Sequence, residues 1–282
     1  MSADASLLDH AKHFLGRFGL HVNGKSDSKP RRLEKFTSGS TQGYSARRLN
    51  KIASKMRNCN QYLEVGVAQG LTLERVAVAH RTAVDPEPQF DSERLPSGVD
   101  FFQGTSDEFF NQLNPNQEFD LIFLDGLHHW QQTYRDLLST LNHATPGALV
   151  LIDDVIPDDE LSAMTDYAAA LKAKEAAGIQ DGRWHGDVFK LLQALADHHP
   201  ELKVVLLRNS TAESDNPQAL VWIEGGELQR YGLERVDALS RSYDDLSFDD
   251  VFGSSDDLDG ATILEEDVAI ELALRGVAPF RL

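Results

Sequence analysis

Gln61-Tyr62-Leu63-Glu64-Val65-Gly66-Val67-Ala68-Gln69-Gly70 is the stretch that decides the fold. An apolar-aromatic run leads directly into Glu64-x-Gly66-x-x-x-Gly70, and a second short run, Thr82-Ala83-Val84, closes on Asp85, nineteen positions after Gly66. A parallel strand ending in glycine lets the backbone approach a ligand closely, and Gly70 opens a helix whose free N–H groups face that ligand. A carboxylate at the end of the second strand can accept both hydroxyls of a ribose. The stretch therefore predicts a sheet crossing point that holds a nucleotide-like cofactor, with Glu64, Gly66, Gly70 and Asp85 around it.

Further strand-like runs follow at Val99–Phe102, Phe119–Leu124, Ala148–Ile152, Lys203–Leu207 and Ala219–Ile223. Helical stripes separate most of them, among them Trp130, Thr133, Tyr134, Leu137, Leu138, Leu141 and, later, Val188, Leu191, Leu192, Leu195. Such alternation predicts an α/β, Rossmann-like, doubly wound sheet of seven strands, mostly parallel, with helices on both faces. Only Arg208 to Pro217 joins the last two runs, too short for a helical crossover, so the last strand is expected to run antiparallel. Upstream, Leu7, Leu8, Ala11, Phe14, Leu15 and Phe18 form an amphipathic helical stripe. Gly24 to Tyr44 reads as a polar loop, a candidate lid, and Ala46 to Met56 as a second helix. The organisation expected is an N-terminal helical and lid segment (1–57), a central domain (58–224) and an acidic C-terminal extension (225–282).

Charge marks the same boundaries. The formal net charge is −18, yet residues 1–57 balance to +8 and residues 224–282 to −10, so the two ends can attract each other within one chain or between subunits of a homo-oligomer. The overall acidity argues against nucleic acid as partner, because Lys and Arg on phosphates supply most of that affinity. No apolar run approaches the roughly 20 residues of a membrane span. One cysteine, Cys59, excludes an internal disulfide, and the N-terminus lacks the pattern of a signal peptide, so a cytoplasmic location is expected. In the tail, Ser255-x-Asp257-x-Asp259-Gly260 with Glu266 approximates an EF-hand loop, but Ser at the first ligand position and Ile263 at the ninth argue against calcium there. Helical patterning over Ile263 to Leu274 suggests a docking helix or subunit contact instead.

The most specific chemistry lies at two strand ends, Leu124-Asp125-Gly126-Leu127-His128-His129-Trp130 and Leu151-Ile152-Asp153-Asp154. In a doubly wound sheet these strands are neighbours, so Asp125, Asp153 and Asp154 should converge. Three bare carboxylates repel one another unless a cation neutralises them, and oxygen ligands of this kind suit Mg²⁺, Ca²⁺ or Mn²⁺. His128 has the pKa range of a general base; His129, one helical position away, would point roughly 100° aside. Each part has a bland reading, since Asp153-Asp154 can cap a turn and a His pair can be a solvated surface feature. Their joint placement beside the glycine loop favours a site.

Glu64-x-Gly66-x-x-x-Gly70 is one residue wider than the dinucleotide fingerprint and has no Walker-type Gly-Lys-Ser/Thr; it resembles motif I of class I S-adenosylmethionine (SAM) methyltransferases. Together with Val84-Asp85-Pro86, Phe119 to His128, Tyr134-Arg135-Asp136, Pro146-Gly147, Ile152-Asp153-Asp154 and Trp184-x-Gly186-Asp187-Val188-x-Lys190, the chain from about Arg47 to Ile223 resembles methyltransferase family 24, which includes metal-dependent sugar O-methyltransferases of the macrocin and mycinamicin type and glycan-cluster members. That resemblance implies SAM as cofactor, its ribose on Asp85 and its adenine near Gly104-Thr105-Ser106-Asp107, with Ser106 and Asp125 also touching it. It implies Asp125, Asp153 and Asp154 as ligands of a divalent cation, magnesium foremost, His128 as the base with Asp125 beside it, and a sugar, glycan or glycosylated small molecule as acceptor. The alternatives are a metal-independent small-molecule methyltransferase and a non-catalytic SAM-binding protein.

Overall fold

The computed structural model describes residues 31–33, 43–211, 216–226, 229–252 and 263–277. The expected helix at 7–18, most of the expected lid and the EF-hand-like stretch at 255–262 lie outside the described residues. α1 (Tyr44–Lys55) buries Ser45, Ala46, Arg48, Leu49 and Ile52, which recur at the three- and four-residue spacing of one helix face. β1 (Gln61–Val65), α2 (Leu71–Arg75), β2 (His80–Val84), β3 (Val99–Phe102), α3 (Ser106–Gln112), β4 (Phe119–Leu124), α4 (Trp130–Leu141) and β5 (Ala144–Ile152) follow. The order continues through α5 (Tyr167–Ala176), α6 (Lys190–His198), β6 (Leu202–Arg208), β7 (Gln218–Ile223), α7 (Glu234–Tyr243), α8 (Phe248–Phe252), β8 (Ile263–Glu265) and α9 (Glu266–Gly276).

Among the described residues, eight strands form one sheet in the order β3-β2-β1-β4-β5-β7-β6-β8. The first five are parallel, and β7 runs antiparallel to both β5 and β6, as the short connection at Arg208 to Pro217 predicts. Chain order reverses between β1 and β4, which opens a crevice at the carboxyl ends of these strands. Register then does the positioning. Val65 pairs with Val84 and Leu124, and Leu124 pairs with Ile152, so the next residues on four adjacent strands, Asp85, Gly66, Asp125 and Asp153, stand in one row.

Strand alternation sorts the core into two layers. Leu63, Val65, Ile122, Leu124, Val150 and Ile152 pack with Trp130 and Leu137 of α4 and Leu191 of α6, while Tyr62, Leu121, Phe123, Leu149 and Leu151 pack with Leu49 and Ile52 of α1 and Leu73 of α2. Trp130 is fully buried, in keeping with its place in the helical stripe.

The tail departs from expectation in two ways. The sheet has eight strands rather than seven, because Ile263–Glu265 pair in parallel with Leu206–Arg208 and are not the start of a helix. The exposed N–H and C=O row of β6 is a stronger claim on these residues than their local pattern. Only from Glu266 does the helix begin, burying Ala269, Ile270 and Ala273 against the second layer. The attraction between the basic and acidic ends is realised within one chain. Glu266, 3% exposed, accepts from Arg47, from Arg48 Nε at 3.2 Å and from Lys51 Nζ at 2.8 Å, and Lys51 also lies 3.0 Å from Asp267. Among the described residues no helix is long and apolar enough to cross a membrane.

Ile270 is completely buried, so Ile270→Ala should destabilise the protein by about 2–5 kcal/mol. Urea denaturation followed by circular dichroism measures this, and an unchanged midpoint would show that α9 lies outside the cooperative core.

Candidate active site

The glycine loop is built by close approach of backbone to backbone. Gly66 has φ +84°, and a Cβ there would lie 1.8 Å from the carbonyl oxygen of Asp125. The glycine is thus required first by the packing of the β1 end on the β4 end, a different reason from the ligand approach expected from sequence. Gly70 caps α2 in the left-handed region, where a Cβ would meet the Leu33 side chain at 2.5 Å. Asp85 holds the loop: its Oδ2 accepts from the N–H groups of Val67 and Ala68, both at 2.8 Å, and its Oδ1 from Glu87 N at 2.7 Å. A carboxylate offers about four lone-pair directions, so one on Oδ1 remains for a ligand hydroxyl.

Glu64 is placed otherwise than expected for a cofactor contact. It is 1% exposed, on the strand face opposite Leu63 and Val65, and its carboxyl accepts from the Tyr62 hydroxyl at 2.6 Å. Burial pushes its pKa up to about 8, against the lowering effect of that hydrogen bond. Ser106 stands at the start of α3, whose Thr105/Glu108 capping box is complete, and accepts from Gln132 Nε2 at 3.1 Å. The same Gln132 nitrogen donates to Asp136 at 2.9 Å, and burial pushes Asp136 up to about 7. α3 and α4 thereby share a polar seam on the side of the crevice where the loop after β3 lies.

At the ends of β4 and β5 the structure brings Asp125, His128 and Asp154 together, with one potential ligand atom of each within 4.8 Å of the others. His128 Nε2 lies 3.1 Å from Asp154 Oδ2 and 3.6 Å from Asp125 Oδ1. Its Nδ1 is 3.1 Å from the Trp184 carbonyl oxygen, so Nδ1 carries hydrogen and Nε2 faces the carboxylates. Burial works against the charged imidazole, but Asp154 and Asp125 outweigh it and push His128 up to about 9. Burial, with the mutual repulsion of the acids, raises both Asp153 and Asp154. His128 at φ +57° and Asp154 at φ +61° adopt left-handed backbone conformations, a strain of roughly 1–3 kcal/mol each that clusters at functional sites. α4 begins only at Trp130, so His128 and His129 are consecutive residues ahead of the helix and not neighbouring helical positions.

Asp153 stands beside this trio, which corrects the expectation that all three carboxylates meet at one point. Its Oδ1 accepts from Asp154 N at 3.0 Å and Asn216 Nδ2 at 2.9 Å, and its Oδ2 from the Tyr44 hydroxyl at 3.2 Å and the Ser45 hydroxyl at 3.4 Å. Tyr44, Ser45 and Asn216 were not legible as site residues, since each acts across more than 60 positions of chain.

The segment from Trp184 to Lys190 clamps the His128 loop. Trp184 stacks on the His128 ring with centroids 5.0 Å apart and donates from Nε1 to Met164 O at 2.6 Å. A Cβ on Gly186 would fall 1.9 Å from His128 O, and Asp187 N donates to that oxygen at 3.2 Å. Asp187 also accepts from Trp130 N at 3.0 Å, satisfying a first-turn N–H of α4 that the His129 side chain leaves uncapped. His185, almost fully buried, places Nε2 3.9 Å from Asp154 Oδ1. In sequence this segment stood out by resemblance alone, without roles for its residues.

Residues 37–155 match a family model described as a methyltransferase domain, of family 24; the match spans the glycine loop, Asp85 and both acidic strand ends, and supports a class I SAM-dependent methyltransferase. No curated protein matches the chain. Similar solved structures include an O-methyltransferase from Streptomyces achromogenes involved in tomaymycin synthesis, in complex with SAM (15% identity, 65% of this chain and 81% of that chain, TM-score 0.45). An O-methyltransferase from Bacillus cereus in complex with SAH is 12% identical over 67% of this chain and 84% of that chain, with TM-score 0.43. An SAH-bound methyltransferase from Podospora anserina is 14% identical over 66% of this chain and 80% of that chain, with TM-score 0.45.

Two outcomes follow for the ligand-free protein. His128 binds a proton more tightly folded than unfolded, so its contribution to stability is complete below pH 6.5 and is lost as pH rises toward 9. Asp136 and Glu64, also raised, act in the same direction at lower pH. The urea midpoint should therefore fall as pH rises across this window, less so in His128→Gln; a midpoint that climbs over the same interval contradicts the assignment. Separately, Gly186→Ala should move the His128 ring signal in NMR spectra, because its Cβ cannot coexist with the His128 carbonyl; an unshifted signal would rule out the clamp.

Proposed function

We propose that this protein is a SAM-dependent, divalent-cation-dependent O-methyltransferase acting on a hydroxyl of a sugar, glycan or glycosylated metabolite. The observation that carries the reading is the meeting of Asp125, His128 and Asp154 at the strand ends beside the glycine loop, Asp125 sharing the register row of Gly66. The site fits a cation: two carboxylates converge beside an imidazole, and burial together with the neighbouring acids makes the carboxyl of Asp154 unstable as a bare anion. Asp125 and Asp154 would hold the ion, with Asp153 fixing Asp154 from behind. When bound, such an ion neutralises the carboxylates and acidifies a hydroxyl of the acceptor, and a vicinal diol is the acceptor shape that suits it.

The chain's own residues account for the remaining steps. Asp85 orients the cofactor ribose while holding the loop at Val67 and Ala68. His128, relieved of the carboxylate charge, returns toward the ordinary imidazole range and takes the hydroxyl proton at Nε2, Nδ1 being committed to Trp184 O. The acceptor oxygen then forms its bond to the sulfonium methyl as the carbon–sulfur bond breaks, releasing S-adenosylhomocysteine. Alignment supplies most of the rate, since the leaving group belongs to SAM itself. The −18 net charge favours a small or neutral acceptor over nucleic acid, and the single cysteine suits the cytoplasm.

One observation favours a second reading. His128 Nε2 lies against Asp154 and Asp125, an arrangement in which the carboxylates themselves orient the imidazole as the base of a metal-independent methyltransferase. A panel of glycan acceptors with methyl-labelled SAM, with and without EDTA, separates the two. Incorporation should vanish on chelation and return with Mg²⁺ or Mn²⁺; turnover that survives exhaustive chelation eliminates the metal-dependent reading. His128→Ala should lower kcat by about 10²- to 10⁴-fold with SAM affinity retained, and a silent His128→Ala would remove it as base.

A further inference from the structure

A continuous buried chain of hydrogen bonds runs from the C-terminal helix to the acidic end of β5. Glu266 Oε2 accepts from Arg48 Nε at 3.2 Å. Arg48, with no exposed surface, donates from Nη1 to Asn216 O at 2.6 Å and to Gln218 Oε1 at 2.9 Å. Gln218, equally buried, donates to Ser45 Oγ at 2.9 Å, and both Ser45 and Asn216 donate to Asp153. Asp153 in turn accepts the N–H of Asp154. We infer that Glu266 is a positioning residue which, through Arg48, Gln218 and Asn216, sets the placement of Asp153 and so of the cation ligand Asp154. The inference rests on the proposed cation site.

The physics favours transmission along this path. A guanidinium without solvent contact must keep a carboxylate partner, because breaking a buried pair leaves an uncompensated charge. Without the Glu266 carboxylate, Arg48 Nε loses a charged acceptor and the guanidinium leans on Asn216 O and Gln218 Oε1, the residues that lead directly and through Ser45 to Asp153. Partners one bond behind a metal ligand typically change metal affinity by about 10- to 100-fold; Glu266 acts several bonds behind, so about tenfold is expected.

The test uses the full chain and Mn²⁺ as the probe, titrated by isothermal calorimetry. Glu266→Gln keeps the side-chain shape and removes the charge; Asp267→Asn, its exposed neighbour with an ion pair to Lys51 and no bond to Arg48, is the control. Glu266→Gln should weaken Mn²⁺ about tenfold, with SAM affinity within about twofold of wild type, while Asp267→Asn leaves both unchanged. A folded Glu266→Gln with wild-type Mn²⁺ affinity overturns the inference and leaves the cation site standing. Equal losses of Mn²⁺ and SAM affinity also overturn it, since a merely structural role would lower both. A wild type that binds neither Mn²⁺, Mg²⁺ nor Ca²⁺ overturns the cation site and the inference with it, a failure visible in the wild-type titration alone. If Glu266→Gln does not fold, Ser45→Ala, which deletes a single oxygen at the far end of the chain, decides by the same comparison of Mn²⁺ with SAM.

Discussion

The alignment of four parallel strand ends is the constraint on which the site depends. Because Val65, Val84, Leu124 and Ile152 share one register row, the residue after each, Gly66, Asp85, Asp125 or Asp153, emerges on the same edge of the sheet. The row lies where chain order reverses, so no crossover covers it. The ladder continues one bond further, with Gly66 N on Val84 O at 3.0 Å, Asp125 N on Val65 O at 2.9 Å and Asp153 N on Leu124 O at 3.0 Å. A slip of one residue would turn these side chains into the helical layers and the apolar ones into the crevice.

Acids in that row and around it are partly dehydrated, and the surrounding structure compensates for it. Asp153, Asp154, Asp136 and Glu64 are all raised by burial. Hydrogen bonds from Tyr44, Ser45 and Asn216 satisfy Asp153, Tyr62 satisfies Glu64, and Gln132 satisfies Asp136. His128 supplies the positive charge, held in a left-handed backbone conformation by Trp184, Gly186 and Asp187. Two strained residues, His128 and Asp154, flank the point where their side chains meet, the pattern of a site whose geometry is held by its surroundings.

The C-terminal segment solves two problems at once. β8 covers the edge of β6, which would otherwise offer unpaired backbone groups. The first turn of α9 delivers Glu266 to Arg47, Arg48 and Lys51, three cations from one face of α1 that would repel one another without it. The basic first segment and the acidic last one are therefore complementary for a structural reason, and α1 is fixed with Tyr44 and Ser45 against Asp153.

Local pattern determined the strand runs, the antiparallel pair at the end of the sheet and the candidates Asp85, Asp125, His128 and Asp154, because period-two apolar alternation, glycine loops and strand-end carboxylates are all short-range signals. The basic and acidic ends were also legible as charge, though not as contacts. Tertiary structure alone decided what the short-range signals cannot hold. Gly66 is glycine because the carbonyl of Asp125, far along the chain, leaves no room for a Cβ. Glu64 turned from the crevice into the core with Tyr62, since strand alternation under α2 outweighed motif position. Asp153 stands beside the Asp125–His128–Asp154 trio, engaged by three hydrogen bonds from Tyr44, Ser45 and Asn216, distant in the chain. Ile263 to Glu265 became a strand because β6 presented an open edge. In each case the deciding partner lies far along the chain, and only packing brings it within the few ångströms over which sterics and hydrogen bonds act.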